Sequence, residues 1–249
     1  MFNNEKMYHI GLTKNDGAKG AIICGDPGRV KLIAELMDSP EFVASNREYT
    51  TWSAKLDGKR VLVISHGIGG PSTAICIEEL KMIGVNTVIR VGTCGGMAKD
   101  VKTGDLVIAQ SSIRAEGTSR EYLPIEYPAT ANFDVTLALR GAAAASGKGF
   151  HIGVVHCKDS FYGQHSPDRM PVYDQLSSKW KAWIDGGCLA SEMETAAVFT
   201  VCQTLEMKAG AILRAVWNQE RVAAGITDPD DNDNLSAARC AVEAMKKFL

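Results

Sequence analysis

Ala21-Ile22-Ile23-Cys24-Gly25-Asp26-Pro27-Gly28-Arg29 and Thr87-Val88-Ile89-Arg90-Val91-Gly92-Thr93-Cys94-Gly95-Gly96 share one grammar: an apolar run of strand length, glycines at its end, and an arginine beside them. An unbroken apolar run bounded by turn residues fits a strand buried on both faces, as in a parallel sheet. After the first run, Val30, Ile33, Ala34 and Met37 recur at helical spacing and predict a helix over 29–37. Between the two runs, the stretches 48–56 and 60–65 flank Asp57-Gly58, a hairpin turn signal. His66-Gly67-Ile68-Gly69-Gly70-Pro71 is a glycine-rich turn, and Ile75, Glu79 and Met82 place a helix over 72–83 after it.

Beyond the second run, residues 92–96 read as a loop. Strands are expected at 105–110, 152–157 and 211–216, and helices over 133–146, 171–184, 191–205 and 235–248. Pro171 opens one of these helices, and Ser191 with Glu194 forms a capping box for another. The segment 158–170 is polar, contains aromatics and has no clear period; the aspartate-rich segment 220–234 reads as a flexible surface loop. Strands alternating with helices of crossover length give an α/β fold with a largely parallel sheet, which the hairpin makes mixed. The chain has 249 residues and no linker composition, so one domain over 1–249 is expected.

Formal net charge is −2, which removes any general pull toward nucleic acid or anionic lipid. No apolar stretch approaches the roughly 20 residues of a membrane span. Residues 1–16 are polar and lack the apolar core of a signal peptide. The seven cysteines are odd in number, irregularly spaced and mostly set in apolar runs, as expected of a reducing cytoplasmic compartment. There is no CxxC and no HExxH, so no zinc site is expected, and His156 and His165 have no supporting partner for a metal. Ser65, Ser160 and Ser191 lack the GxSxG context of a nucleophile.

Four clusters remain for chemistry. Arg29 follows a strand end at a helix start, where backbone amides favour anions and a planar guanidinium matches phosphate. Arg90 interrupts a run that should be buried; an unpaired buried guanidinium is very costly, so it needs either a protein carboxylate or a ligand anion. Thr93 and its neighbouring glycines add donors. Glu192-Met193-Glu194 sets two carboxylates near a helix start, where they are ordinary helix-start acids or acceptors for a vicinal diol. Phe161, Tyr162, Gln164 and Arg169 combine an aromatic face with the donors and acceptors that read the edge of a planar ring. Neither GxGxxG nor a Walker A sequence is present.

In this order these motifs resemble the nucleoside phosphorylase family, and within it the bacterial members that act on uridine. The likeness also takes in Tyr8-His9-Ile10-Gly11-Leu12-Thr13-Lys14-Asn15-Asp16, Arg47-Glu48-Tyr49-Thr50-Thr51-Trp52, the turn at 67–72 and Ser160-Phe161-Tyr162-Gly163-Gln164, nearly the whole chain. It implies a single α/β domain with a mixed, partly barrel-like sheet flanked by helices. It implies reversible phosphorolysis of uridine to uracil and α-ribose 1-phosphate, with inorganic phosphate as co-substrate and no cofactor.

The phosphate site so implied is Gly25, Arg29, Arg90 and Thr93, with Arg47 from a neighbouring subunit. The sugar site is Glu192, Met193 and Glu194, with His9 from the neighbour. The base site is Cys94, Gly95, Phe161 and Gln164 with an arginine. The family pattern carries that arginine two residues after the glutamine, where this chain has Ser166; a loop turned at Pro167 is expected to return Arg169 to the place, with Arg221 as second candidate. A potassium or sodium ion at Glu48, Ile68 and Ser72 and a hexamer built as a trimer of dimers are further implications. Trp217-Asn218 stands where purine-cleaving hexameric members carry Ser-Asp, which favours a pyrimidine. A purine or broad-specificity phosphorylase is the alternative, and a non-catalytic nucleoside-binding protein is the alternative of another class.

Overall fold

Gly20–Cys24 is buried at every position and forms β1, an interior strand of the sheet. The computed structural model describes residues 6–229 and 231–249, so residues 1–5 of the polar amino-terminal stretch and Asp230 of the acidic segment lie outside the described residues. Three strands and their hairpins lie on one side of β1. β2 (Asp38–Asn46) pairs antiparallel with β3 (Tyr49–Leu56), β3 with β4 (Lys59–Ser65), and β4 runs parallel to β1. Asp57 and Gly58 turn the β3–β4 hairpin with positive φ of 49° and 76°, as a two-residue hairpin loop requires. β2 was not legible in the sequence: it has no apolar alternation, and pairing with β3 rather than a buried face holds it extended.

On the other side of β1 lies β5 (Thr87–Gly96), parallel to it, with Ile23 opposite Arg90. β5 runs parallel to β10 (Lys208–Asn218), which pairs antiparallel with β6 (Leu106–Ala115). β6 is parallel to β8 (Phe150–Lys158), β8 to β9 (Ala190–Glu192), and β9 returns antiparallel onto β5. These strands therefore close on themselves as a small barrel, and β1, β4, β3 and β2 continue from it as an open sheet. A short β7 (Ala129–Thr130) joins β6. The fold is thus the mixed, partly barrel-like α/β architecture expected.

Side chains alternate across a strand, and the core follows that period. Ala21 and Ile23 enter one apolar cluster with helices α2 (Gly70–Met82) and α7 (Thr195–Thr204). Ile22 and Cys24 enter the other, with α1 (Pro27–Ala34), α4 (Phe133–Ala145) and α9 (Ser236–Met245). Shorter helices are α3 (Thr118–Tyr122), α5 (Phe161–His165) and α8 (Gln219–Ala223), and α6 (Tyr173–Asp185) sets Trp180 and Trp183 against His156 of β8.

Three local expectations are corrected. Residues 92–96 are strand, because β10 and β9 supply ladder partners to glycines whose own side chains signal nothing. The helix expected from Ser191 begins at Thr195: Ser191 belongs to β9 opposite Gly95, and no capping box forms. The acidic segment after β10 is tied down, with Arg221 forked onto Asp228 at 2.6–3.0 Å and Lys148 on Asp231 at 2.8 Å.

Candidate active site

The carboxyl ends of β1, β4 and β5, with β9 and β10, open onto a cleft of about 710 Å³. Open parallel sheets place ligands at this end of their strands. Gly25, Arg29, Arg90, Thr93, Cys94 and Gly95 line it together with Glu192, Met193 and Glu194, so residues far apart in sequence converge.

At the rim, Asp26 caps α1 by accepting from the Gly28 amide at 2.8 Å, and the Arg29 amide donates to the Asp26 carbonyl at 3.1 Å. Pro27 has no amide hydrogen. The first-turn donors expected to face an anion are therefore spent inside the turn, and the group offered to the cleft is the Arg29 guanidinium, whose protein partner is Asp26 at 4.0 Å. A Cβ on Gly25 would stand 3.1 Å from the Gly67 carbonyl, so glycine lets the loops after β1 and β4 approach. Thr93 is exposed to the cleft.

The floor is a buried network. Arg90 Nε donates to Glu192 at 3.3 Å, Nη2 donates to Glu194, and Nη1 donates to His66 Nε2 at 2.9 Å. Protein carboxylates, one of the two kinds of partner foreseen for Arg90, meet it here. His66 is held neutral, its pKa pushed well below the ordinary value first by burial and then by the charges of Arg90 and Arg29. Accepting at Nε2, it donates from Nδ1 to Thr73 Oγ1 at 3.0 Å, and Thr73 donates to the Gly69 carbonyl at 2.8 Å. Sequence reasoning missed His66; its place at the end of a buried strand before Gly67 was the available signal.

The two glutamates divide. Glu192 is consumed by the protein: it accepts from Arg90, from the Glu194 and Thr195 amides at 2.8 and 3.0 Å, and from Thr195 Oγ1 at 2.5 Å. Glu194 accepts from Arg90 and from the Gly69 amide at 2.7 Å and stays at the cleft surface beside Met193. Burial pushes the Glu194 carboxyl up, and Arg90 opposes that shift.

At the far end Phe161, His165 and Trp217 follow one another, with ring centroids 4.2 and 5.5 Å apart. Gln164 is buried and faces an adjoining chamber of about 370 Å³ walled by Trp180, Trp183 and His156. Its Nε2 stands 3.9 Å from where a Cβ on Gly95 would sit. Ser191 Oγ donates to Gln164 Oε1 at 2.8 Å and accepts from Lys158 Nζ at 2.7 Å. Cys94 is buried, and burial pushes its thiol far up. Lys158 and Ser191 were missed because the sequence showed only the start of an aperiodic segment and a helix cap.

The expected base-reading arginines do not join this group. Arg169 ends a 3₁₀ turn, Pro167–Arg169, and lies exposed with its guanidinium 5.8 Å from the Tyr162 ring. Arg221 is engaged by Asp228 and the Lys99 carbonyl. Asn218 is also turned away: its amide donates to the Ala98 and Val101 carbonyls, both at 2.8 Å, and its oxygen caps α8.

His9 and Arg47 do not line their own chain's cleft, yet they share one patch. Asn46 donates to the His9 carbonyl at 2.7 Å, and Glu79 holds His9 Nδ1 at 2.7 Å and its amide at 3.0 Å. Arg47 is exposed at a two-residue turn with φ of 55°, a conformation that costs a non-glycine residue and recurs at functional sites. Glu48, Ile68 and Ser72 meet around Gly67, where Ser72 Oγ lies 3.3 Å from the Ile68 carbonyl and a Cβ on Gly67 would stand 3.0 Å from Glu48 Cγ.

The model of the phosphorylase superfamily matches residues 19–249. The chain is similar to a uridine phosphorylase of Treponema pallidum, 48% identical over all of this chain and 96% of that protein. It is similar to a uridine phosphorylase of Escherichia coli, 40% identical over 98% of each. A guanosine phosphorylase of Halorubrum lacusprofundi is 39% identical over 92% of this chain and 90% of that protein.

Proposed function

We propose that this chain, which belongs to the phosphorylase superfamily, is a pentosyltransferase that cleaves uridine with inorganic phosphate, giving uracil and α-ribose 1-phosphate. The observation that carries the reading is the order of groups along one cleft: Arg29, Thr93 and Arg90, then Glu194 and Met193, then Phe161 with Gly95. An anion, a polyhydroxy ring and a flat base bound in that sequence bring phosphate to the glycosidic carbon.

As the bond to uracil stretches, that carbon gains positive character and the base gains negative charge. Arg29 and Arg90 hold phosphate, while Glu194 accepts the sugar hydroxyls. No covalent nucleophile is needed: a phosphate oxygen bonds to the carbon as the bond to nitrogen breaks. Glu192 acts by orienting Arg90 and the start of α7. Arg169 and Arg221 have no role in this proposal. His9 and Arg47 serve the neighbouring subunit's cleft, which their shared patch off their own cleft supports. The assembly is a hexamer built as a trimer of dimers, the compartment the cytoplasm and the cellular role pyrimidine nucleoside salvage. A potassium or sodium ion held by Glu48, Ser72 and the Ile68 carbonyl stiffens the turn behind Arg47. Thermal melting in potassium, sodium and a large organic cation tests it, with a rise in the first two expected.

Ultraviolet assays of base release from uridine, thymidine, inosine and guanosine, each with and without phosphate, test the main reading. Phosphate-dependent uracil release is expected; release without phosphate overturns it. The chamber beyond Gln164, large enough for a second ring, favours a second reading as a purine or broad-specificity phosphorylase. Preferential release of guanine or hypoxanthine would select that one.

A further inference from the structure

Lys158 ends β8 and is 8% exposed. Among the described residues it is the one that lines both the cleft and the adjoining chamber, so it stands where the two meet. A lysine is rarely buried without a partner, because desolvating an ammonium is expensive. Here its protein partner among the described residues is Ser191 Oγ at 2.7 Å, an uncharged acceptor that fills one of three donor positions. No carboxylate among the described residues pairs with it directly; burial pulls its pKa down, and Glu192 and Glu194 oppose that shift from further off. Ser191 in turn is pinned by Gln164 Oε1 and His156 Nδ1, so the ammonium is held in place. At the base end of the cleft, burial depresses the His165 imidazole and the Lys158 charge adds to that shift.

We propose that Lys158 is the cationic donor to the departing base, its Nζ hydrogen-bonding a ring carbonyl oxygen of the pyrimidine and stabilising the negative charge that arrives there. This rests on the phosphorolysis reading above. The balance is simple: the electron pair of the glycosidic bond passes into the ring and onto its carbonyl oxygens, a phosphate oxygen takes the carbon, and the base anion later takes its proton from water. Lys158 gives up no proton. A fixed ammonium aimed at the position where charge develops is the arrangement that makes such stabilisation large. Because an ammonium donates and cannot accept, it favours a base with a carbonyl at the contacted position over one with an amine there.

Lys158→Met and Lys158→Gln are compared with the native enzyme on uridine and on 5-fluorouridine, whose base leaves more readily. The expected result is a fall in kcat/KM for uridine of about 10²–10³-fold, a clearly smaller fall for 5-fluorouridine, an unchanged KM for phosphate, and partial recovery in Lys158→Arg. Lys158→Gln keeps a donor toward Ser191 and supplies the folded comparison if Lys158→Met does not fold. Variants within threefold of native on uridine overturn the inference, and so does an equal loss on both substrates, which would mean a structural role. A native enzyme without phosphate-dependent uracil release overturns the functional reading as well; the variants alone overturn only the role of Lys158.

Discussion

Arg29 at the rim of the cleft and Arg90 on its floor present the same guanidinium in opposite settings. The Arg90 side chain is 4% exposed and bound by two glutamates and a histidine. The Arg29 side chain is 23% exposed and has only Asp26, itself open to water, at 4.0 Å. An exposed pair of that kind contributes about 0–1 kcal/mol. A buried one is different in kind, because removing either partner leaves a charge stranded. The floor therefore ties binding to folding, whereas the rim is free to serve the ligand alone.

The largest expected effect follows from the floor. Arg90→Leu should abolish phosphorolysis and lower stability by about 3–5 kcal/mol, since Glu192 and Glu194 would be left buried without their cation. Denaturant unfolding checks it, and native-like stability in an inactive protein would break the comparison. Arg29→Ala should instead raise the KM for phosphate about 10–100-fold, the worth of a charged hydrogen bond, with stability within about 0.5 kcal/mol of native. A large loss of stability there would erase the distinction between rim and floor.

Acid titration sharpens the same contrast. Burial pushes His156 down to about 3 and holds His66 well below its ordinary value. In the unfolded chain both bind protons near pH 6.5. The unfolded state thus holds more protons below that pH, and stability should fall as pH drops from about 6.5 toward 3. Unfolding of native and His156→Leu protein across this range should show a shallower acid limb in the variant; an identical slope would mean that His156 charges freely in the fold. The smallest effect is expected at Arg169, which lies on Tyr162 outside the cleft lining. Arg169→Ala should change kcat/KM for uridine by less than about threefold, within what surface changes do. A loss of 10²-fold would return Arg169 to the base.

The alternation of strands and helices was legible because each buried strand is an apolar run and each helix repeats its apolar positions. The Asp57-Gly58 hairpin was legible for a local reason too, since both residues tolerate positive φ. What escaped was set by partners distant in the chain. Gly92–Gly96 is strand only because β9 and β10 lie beside it, and Ser191 is strand for the same reason. His66 and Lys158 were invisible as site residues because nothing local marks a polar side chain whose partners come from β5 and β9.

The sequence by itself determined the α/β class, the convergence of Arg29, Arg90 and Glu194 as candidate site residues, and the need of Arg90 for an anion. Those follow from residue type, period and the cost of a buried charge. Only the tertiary structure decided that Glu192 and Glu194 pair with Arg90, that Arg169 lies on Tyr162 and Arg221 on Asp228, and that Lys158 stands where the cleft meets the adjoining chamber. Each of those depends on which strand lies next to which, and a closed barrel settles that through pairings between residues distant in the chain, such as Gly95 with Ser191 and Thr87 with Lys208.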